Sequence, residues 1–174
     1  MYYGLILFRN ETVKSDSKKT GGDYVEIVQM QCPHGWKLFG ASCYKFDERS
    51  TTWAEADKLC AQEGGRLASI HSKAEDDFIK SKVIPRGTGS AWIGANDIQR
   101  ERVWKWSDRT PFIYSNWKPR GEPNNLHGNQ DCATLTWYYR FKIHWYWEDI
   151  HCSFRNQFVC KKQGKFIINN NRKG

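Results

Sequence analysis

The chain has 174 residues and a formal net charge of +8 at neutral pH. This length suits one domain with a substantial core and is short for two. Nine Trp, eight Tyr and nine Phe offer large apolar surfaces to bury, which excludes an intrinsically disordered chain. No stretch approaches the ~18 apolar residues of a membrane span, and Lys and Arg form no dense stripe of the kind that binds nucleic acid. The charge indicates either a solubilising surface with a basic tail or a weak attraction to sulfated glycans or acidic matrix.

Residues 1–31 are predicted to form an N-terminal arm outside the main domain. Residues 9–23 are polar and contain a Gly-Gly pair, whereas residues 24–28 alternate in polarity as an edge strand would. The first eight residues lack the basic region and the cleavage site of a secretory signal. Asn10 opens an Asn-Glu-Thr sequon, a candidate N-glycosylation site. The arm is either a flexible extension or part of a longer chain.

The main domain is predicted to span residues 32–162, where aromatic residues are dense, and a basic polar tail follows at 163–174. Within the domain, residues 107–131 contain several Pro, Gly and Asn residues and predict a long ordered loop. Loops of this length inside a compact domain are usually functional. Alternating or apolar runs predict strands at 90–94, 103–106, 132–137 and 156–160.

Two helices are predicted by capping boxes, in which a Ser or Thr and a Glu three residues later satisfy the first backbone N–H groups. The boxes are Thr52 with Glu55 and Ser72 with Glu75. A Gly-Gly pair ends the first helix, and Pro85 prevents the second from continuing. One apolar face is indicated on each helix, formed by Trp53, Ala56, Leu59 and Cys60 in the first and by Ala74, Phe78 and Ile79 in the second.

Six cysteines in a small domain indicate three disulfides and an oxidising compartment. The alternative is a structural zinc site, which usually contains closely spaced Cys or His pairs. No such pair is present, because ten residues separate Cys32 from Cys43 and no Cys-x-x-Cys motif occurs. Counting cysteines favours disulfides and leaves their pairing open.

Short motifs follow one another across residues 32–162 in a fixed order. They are Cys32-Pro-His-Gly-Trp36, Cys43-Tyr44, Trp53-Ala-Glu-Ala56 leading to Cys60, Gly65-Arg-Leu-Ala-Ser-Ile70, Trp92-Ile-Gly94, Trp104-Lys-Trp106-Ser-Asp108, Asn116-Trp117, Glu122-Pro-Asn124, Asp131-Cys132, Trp147-Glu-Asp149, Cys152 and Phe158-Val-Cys160. Together they resemble the C-type lectin-like domain family. The resemblance implies an α+β fold, with two helices flanking small antiparallel sheets and a long calcium-binding loop region.

The resemblance also implies a disulfide pairing and a cis peptide bond. The implied disulfides join Cys32 to Cys43, Cys60 to Cys160 and Cys132 to Cys152. Each would stabilise the fold by about 2–4 kcal/mol, chiefly by restricting the unfolded chain. The implied cis bond precedes Pro123.

The family's principal Ca²⁺ site maps by resemblance onto the long loop and the segment before Cys152. Ca²⁺ prefers six to eight oxygen ligands. The implied ligands are three carboxylates and two amides, namely Glu122, Asn124, Gln130, Glu148 and Asp149. In the family, two neighbouring sugar hydroxyls also coordinate the ion, so the same residues are the candidate carbohydrate-binding set.

Two positions depart from the family's sugar-binding pattern. Glu is usual where Gln130 stands, and Asn is usual where Glu148 stands. The two changes compensate in charge, so Ca²⁺ binding is still expected. They exchange acceptor and donor for the second sugar hydroxyl, which Gln130 and Glu148 would serve. Glu122-Pro-Asn124 favours mannose, fucose or N-acetylglucosamine, whereas the exchange leaves galactose as an open alternative.

Further sites are implied around the principal one. The auxiliary Ca²⁺ site of the family maps onto Asp97, Glu101, Asn125, Gln130 and Asp131. The alternative is that Asp97 and Glu101 are exposed acids paired with Arg100 or Arg102. Sugar rings could stack on aromatic residues between Cys132 and Cys152, and the candidates are Tyr138, Tyr139, Trp145 and Tyr146. The alternative for each is packing between strands, which is the expectation for Trp147.

The predicted function is Ca²⁺-dependent binding of glycans on cell surfaces, microbes or glycoproteins by a secreted, non-enzymatic domain, as in defence lectins. None of the five His residues shows zinc-ligand spacing or lies in a nucleophile motif. No membrane insertion is expected, and a homo-oligomer would supply avidity to a weak monovalent site. The alternative function is binding of a protein, a mineral or a matrix surface without sugar recognition.

Overall fold

The structure, a computed structural model, describes residues 13–16, 24–139 and 143–172. The described residues up to Cys43, together with those from Gln163 onward, form one compact unit, and Tyr44–Lys162 form a second. No helix in these ranges is long and apolar enough to cross a lipid bilayer.

The first unit is built on a three-stranded antiparallel sheet. Its strands are β1 (Val13–Asp16), β2 (Tyr24–Gln31) and β11 (Lys165–Arg172), in the order β1-β2-β11. The sequence predicts an edge strand at 24–28 and a polar tail at 163–174. The structure places β2 in the centre of the sheet because the tail contains a strand-forming apolar run beginning at Phe166 and pairs with it residue for residue.

Most of the main sheet belongs to the second unit, and it includes β4 (Ser42–Thr51) and four strands of seven or eight residues from the C-terminal half. The order is β4-β10-β6-β8-β9, with β6 at Ser90–Asn96, β8 at Cys132–Tyr139, β9 at Ile143–Ile150 and β10 at Asn156–Gln163. β10 and β6 are parallel, whereas β6–β8 and β8–β9 are antiparallel. Three shorter strands complete the chain: β3 at Lys37–Phe39, β5 at Arg66–Leu67 and β7 at Lys105–Trp106.

The two predicted helices are present and begin at the predicted caps. α1 (Trp53–Gln62) follows Thr52, whose side chain accepts the N–H of Glu55, and α2 (Lys73–Phe78) follows Ser72, which accepts the N–H of Glu75. α2 continues as a π-helical turn, Ile79–Val83. The predicted apolar face of α2 is only partly correct. Ala74 is exposed, whereas Glu75 and Asp76 are buried.

The strand at 103–106 shortens to two residues, because Arg102 adopts a positive φ and closes a turn just before it. β9 was not among the strands predicted from the sequence, yet it carries Glu148 and Asp149. Strand alternation is masked there, since Trp, Tyr, Glu and Asp follow one another without a clear polar and apolar period.

The core of the second unit is rich in tryptophan. Trp147 is fully buried and makes edge-to-face contacts with several rings, which confirms its packing role. The rings in contact with it are Trp106, Phe112, Tyr114 and Trp117.

All three implied disulfides are formed and none of the six cysteines is free.

The long loop 107–131 contains one short 3-10 turn, Leu126–Gly128, and is held against β9 by backbone pairing. Trp117 forms an isolated bridge with Trp147. Trp147 N donates to Asn116 O at 2.8 Å, and Lys118 N donates to Trp147 O at 3.0 Å. These bonds place the loop beside the strand that carries the predicted acidic ligands.

Candidate functional site

Asp149 joins the long loop to β9. Its side chain is only 2% exposed. Asn124 N donates to Oδ1 at 2.9 Å, and Asn125 N donates to Oδ2 at 2.6 Å. A buried carboxylate that accepts two backbone N–H groups fixes the position of that backbone. The loop residues 122–125 are therefore held against the strand.

Glu122 and Asn124 form a compact pair on this loop. The Glu122–Pro123 bond is cis, as the resemblance implies. Asn124 Nδ2 donates to Glu122 Oε2 at 2.6 Å, and Asn124 Oδ1 accepts the N–H of Leu126 at 2.7 Å. Burial raises the pKa of Glu122 to about 7, and the carboxylates of Asp149 and Glu148 contribute to that rise. Three carboxyl groups thus lie close enough to interact strongly.

Gln130 and Glu148, the two exchanged residues, have separate partners. Gln130 Oε1 accepts the N–H of Leu126 at 2.6 Å, and Gln130 N donates to Asn125 Oδ1 at 3.0 Å. Glu148 Oε1 accepts Lys118 Nζ at 3.1 Å. Gln130 therefore belongs to the loop, whereas Glu148 projects from β9.

The donor set suits a hard cation in its chemistry. It offers three carboxylates and two amide oxygens, carried by one loop and one strand, and oxygen donors of this kind are what Ca²⁺ takes. Within the described ranges, no group of three or more His, Cys, Asp or Glu residues is arranged around a common metal position. The carboxylates are instead bonded to internal donors, namely the backbone of Asn124 and Asn125, the Asn124 side chain and Lys118.

The implied auxiliary site surrounds Asp97, which is 4% exposed. Asp97 Oδ2 accepts the N–H of Arg102 at 2.7 Å, whereas Oδ1 is buried and has no hydrogen-bond partner in the described structure. Burial raises the pKa of Asp97, and Glu101, Asp131 and Asp149 raise it further against the opposing bond from Arg102. A buried carboxylate oxygen without a partner is costly, so this position suits a cation.

A small cavity of about 40 Å³ lies beside Asp97. Its lining consists of Asp97, Glu101, Arg102, Trp104, Pro123, Asn124, Asn125 and Asp149. Asn125 Nδ2 donates to Glu101, and Asp97 N donates to Asp131 O at 3.0 Å. Neither Asp97 nor Glu101 forms an ion pair with Arg100 or Arg102, all four of which lie in the described ranges. The structure thus brings Asp97, Glu101 and Asn125 together.

The aromatic candidates differ in their placement on β9. Trp145 and Tyr146 are partly exposed, and Tyr146 pairs with Thr136 across the strands. Because successive strand residues point to opposite faces, Tyr146 shares its face with Glu148, whereas Trp145 shares the face of buried Trp147. The side chains of Tyr138 and Tyr139 lie outside the described part of the structure.

The sequence does not predict where two further side chains lie relative to the candidate site. Trp104 lines the cavity beside Asp97 and contacts Trp117 in a tilted arrangement with ring centroids 4.5 Å apart. Asp76 is fully buried and accepts Trp147 Nε1 at 3.1 Å and Asn116 Nδ2 at 3.0 Å. Lys80 also pairs with Asp76. The capping box identifies Glu75 as a helix-start residue, but no local pattern indicates that Asp76 is buried.

Residues 49–162 match the family Lectin C-type domain. The match covers well over half of the chain, which therefore belongs to the C-type lectin domain family. The family confirms the α+β fold and the non-enzymatic nature expected from the sequence. C-type lectin domains generally bind Ca²⁺, and the family contains many glycan-binding members.

Similar proteins differ in what their names say they bind. Ladderlectin of Oncorhynchus mykiss is 40% identical over 124 residues, which are 70% of this chain and 63% of ladderlectin. The chain thus spans less than two thirds of that relative. The galactose-specific lectin nattectin of Thalassophryne nattereri is 34% identical over 145 residues, which are 82% of this chain and 87% of nattectin.

Among solved structures, a calcium-independent type II antifreeze protein superposes with a TM-score of 0.69 at 32% identity. The superposition covers 78% of this chain and 97% of that protein. The fold therefore carries both sugar-binding and calcium-independent members, and the choice between them depends on the site.

Proposed function

We propose that this protein is a Ca²⁺-dependent carbohydrate-binding lectin. The observation that carries the proposal is the pair of backbone bonds from Asn124 and Asn125 to buried Asp149. They hold the backbone of the loop that carries Glu122 and Asn124 against the strand that carries Glu148, which supports a site shared by the loop and the strand. The proposed ligands of the principal ion are Glu122, Asn124, Gln130, Glu148 and Asp149.

The bound ion would supply direct coordination of two adjacent sugar hydroxyls. Glu122 and Asn124 would accept from and donate to the first hydroxyl. Gln130 and Glu148 would do the same for the second, in the reverse of the family's usual order. Tyr146 lies on the face of Glu148 and is better placed than Trp145 to touch a bound ring.

The proposed sugar class is mannose-type, which includes mannose, fucose and N-acetylglucosamine. Glu122-Pro-Asn124 supports this class, because it keeps the family's mannose-type order at the first hydroxyl. The exchange at Gln130 and Glu148 supports galactose as the competing outcome, and the similarity to a galactose-specific relative favours keeping it. A glycan array in Ca²⁺ decides between them by the ranking of mannose-terminated and galactose-terminated glycans.

A second ion is proposed at Asp97, Glu101, Asn125, Gln130 and Asp131. The partnerless Oδ1 of Asp97 and the adjoining cavity support it.

Three disulfides are consistent with a secreted or extracellular protein. We take residues 32–162 as the carbohydrate-recognition domain, with glycans of cell surfaces, microbes or glycoproteins as partners. A homo-oligomer would provide the avidity that single weak sites lack.

Affinity chromatography tests the proposal. The protein should be retained on mannan or galactose resin in Ca²⁺ and released by a chelator. Glu122→Gln keeps the size of the side chain and removes a ligand charge, so it should abolish retention. Asp77→Asn is the matched control, because Asp77 is an exposed acid paired with Lys73 on α2. Its retention should equal that of the wild type. Retention of Glu122→Gln that still responds to chelator would contradict the ligand assignment.

The second candidate function is binding of a protein, mineral or matrix surface without sugar. It is favoured by the internal pairing of Glu148 with Lys118 and by three well-exposed apolar residues, Ile98, Ile113 and Leu126. The same chromatography separates the two functions. Absence of retention on every sugar resin, or retention that a chelator leaves unchanged, would favour the second candidate.

A further inference from the structure

Lys118 lies in the long loop, where hydrogen bonds fix its backbone beside β9. Its N–H donates to Trp147 O at 3.0 Å, and its carbonyl accepts Glu122 N at 3.3 Å. The preceding residue, Trp117, forms a β-bridge with Trp147, and its ring contacts that of Trp104. The chain on both sides of Lys118 is thus tied to residues that flank the candidate calcium ligands.

The ammonium group of Lys118 contacts one of those ligands. Lys118 Nζ lies 3.1 Å from Glu148 Oε1, and the exposed side-chain fractions are 39% for Lys118 and 18% for Glu148. The positive charge of Lys118 also acts on Glu122, where it opposes the repulsion from Asp149 and Glu148. Lys118 is therefore a cation already placed among the carboxylates that the proposed function assigns to Ca²⁺.

We propose that Lys118 is an internal counter-cation of the candidate calcium site, which holds Glu148 and competes with Ca²⁺ for its carboxylate. The inference rests on the proposed function. It follows from the exchange of Gln130 and Glu148, because the carboxylate now stands on β9, within reach of Lys118, instead of on the loop. When all three candidate carboxylates are ionised, they and Lys118 together carry a charge of about −2, which a single Ca²⁺ balances.

Competition lowers the affinity for Ca²⁺ in two ways. The ion must separate Glu148 from Lys118, or share the carboxylate with it, and it must also approach a like charge. Both costs are electrostatic and act at short distance, so salt and solvent screen them only in part. Lys118 sets the Ca²⁺ concentration at which the site fills, and it is the residue through which the exchange alters the site.

Isothermal titration with CaCl₂ tests the inference on the full chain. Lys118→Met retains the apolar stem and removes the charge, and it should raise the Ca²⁺ affinity about tenfold. Lys105→Met is the matched control, since Lys105 lies in the same half of the chain and bonds Gln99 rather than a candidate ligand. Its affinity should change less than about twofold, because only distant, screened repulsion is lost.

A double-mutant cycle separates competition for Glu148 from general repulsion. In a protein that carries Gln130→Glu and Glu148→Asn, Lys118 no longer has its carboxylate partner on β9. There Lys118→Met should raise the affinity by about twofold or less. An equal effect in both backgrounds, or no effect in the wild-type background, overturns the inference.

A second measurement distinguishes this result from failure of the proposed function. In chelator, Lys118→Met should lower the thermal midpoint more than Lys105→Met does, because Glu148 loses its partner. Calcium binding of unchanged affinity overturns the inference alone. Absence of calcium binding in both wild type and Lys118→Met overturns the proposed function, and the inference with it.

Discussion

Two pairs of residues are assigned to the two sugar hydroxyls, and they are built differently. In the first pair, Glu122 and Asn124 lie on one loop and bond each other directly. In the second pair, Gln130 lies on the loop and bonds its backbone, whereas Glu148 lies on β9 and bonds Lys118. We name them the loop pair and the split pair. The loop pair is organised by local chain geometry, whereas the split pair depends on how the loop packs on β9.

Each pair also depends on a different buried aspartate. Asp149 accepts the backbone N–H groups of the loop pair's segment. Asp76 lies on α2 and binds Trp147 and Asn116, whose backbones pair next to Glu148 and Lys118. Burial raises the pKa of Asp76, and the Lys80 ammonium opposes that rise. The comparison predicts that substitution of Asp149 disturbs the loop pair more, whereas substitution of Asp76 disturbs the split pair more.

The largest expected effect comes from removing Asp76, the buried aspartate on which the split pair depends. Asp76→Ala leaves Lys80, Trp147 Nε1 and Asn116 without their buried acceptor, and it should lower the free energy of unfolding by about 3–5 kcal/mol. Urea denaturation measures the change. Asp77→Ala is the control. The Asp77 carboxylate is exposed, so its loss should lower the free energy of unfolding by less than about 1 kcal/mol. Similar losses for the two variants would contradict the role of Asp76.

An intermediate effect is expected from restoring the usual order in the split pair. Gln130→Glu combined with Glu148→Asn keeps the charge of the site and returns acceptor and donor to the mannose-type arrangement at the second hydroxyl. The preference for mannose-terminated over galactose-terminated glycans should increase about tenfold or more, which corresponds to ~1–3 kcal/mol. A glycan array of the double variant beside the wild type measures it. An unchanged ranking would show that the loop pair alone selects the sugar.

The smallest expected effect concerns pH and lies away from both pairs. Burial and the charge of Lys161 lower the pKa of His71, whose Nε2 contacts Ser69 Oγ and Thr110 Oγ1 at 3.2 Å. The folded state binds this proton less readily than the unfolded state. The stability that the neutral His71 ring contributes is therefore present above pH ~6.5, and it is lost as the pH falls through the lowered pKa.

His71→Gln should flatten the decline in unfolding free energy between pH ~6.5 and pH ~5 by well under about 1 kcal/mol, since solvent screens the half-buried ring. Thermal unfolding at several pH values measures the slope. The Ca²⁺ affinity of His71→Gln at neutral pH should equal that of the wild type. A steeper decline in the variant would contradict the assigned direction.

Much of the fold could be predicted because its signals are short in range. Thr52 and Ser72 cap the two helices through residues three positions away, and those bonds form as expected. β9 and β11 could not be predicted in the same way. β9 pairs with the strand just before it, β8, but its sequence lacks a clear alternation of polar and apolar residues. β11 pairs with a segment more than a hundred residues earlier. Sequence pattern alone carries no record of such long-range partners.

The sequence by itself determined the family, the disulfide framework implied by that family, and the identity of the five candidate ligands. The family is indicated by short motifs in a fixed order, and the disulfides and the ligands are what the resemblance to that family implies. Only the tertiary structure decided which partners those ligands have. It buried Asp76 beneath Trp147, left Asp97 Oδ1 without a partner, and brought Lys118 to Glu148 across thirty residues. Electrostatic competition depends on distances of a few ångströms, and folding alone sets those distances.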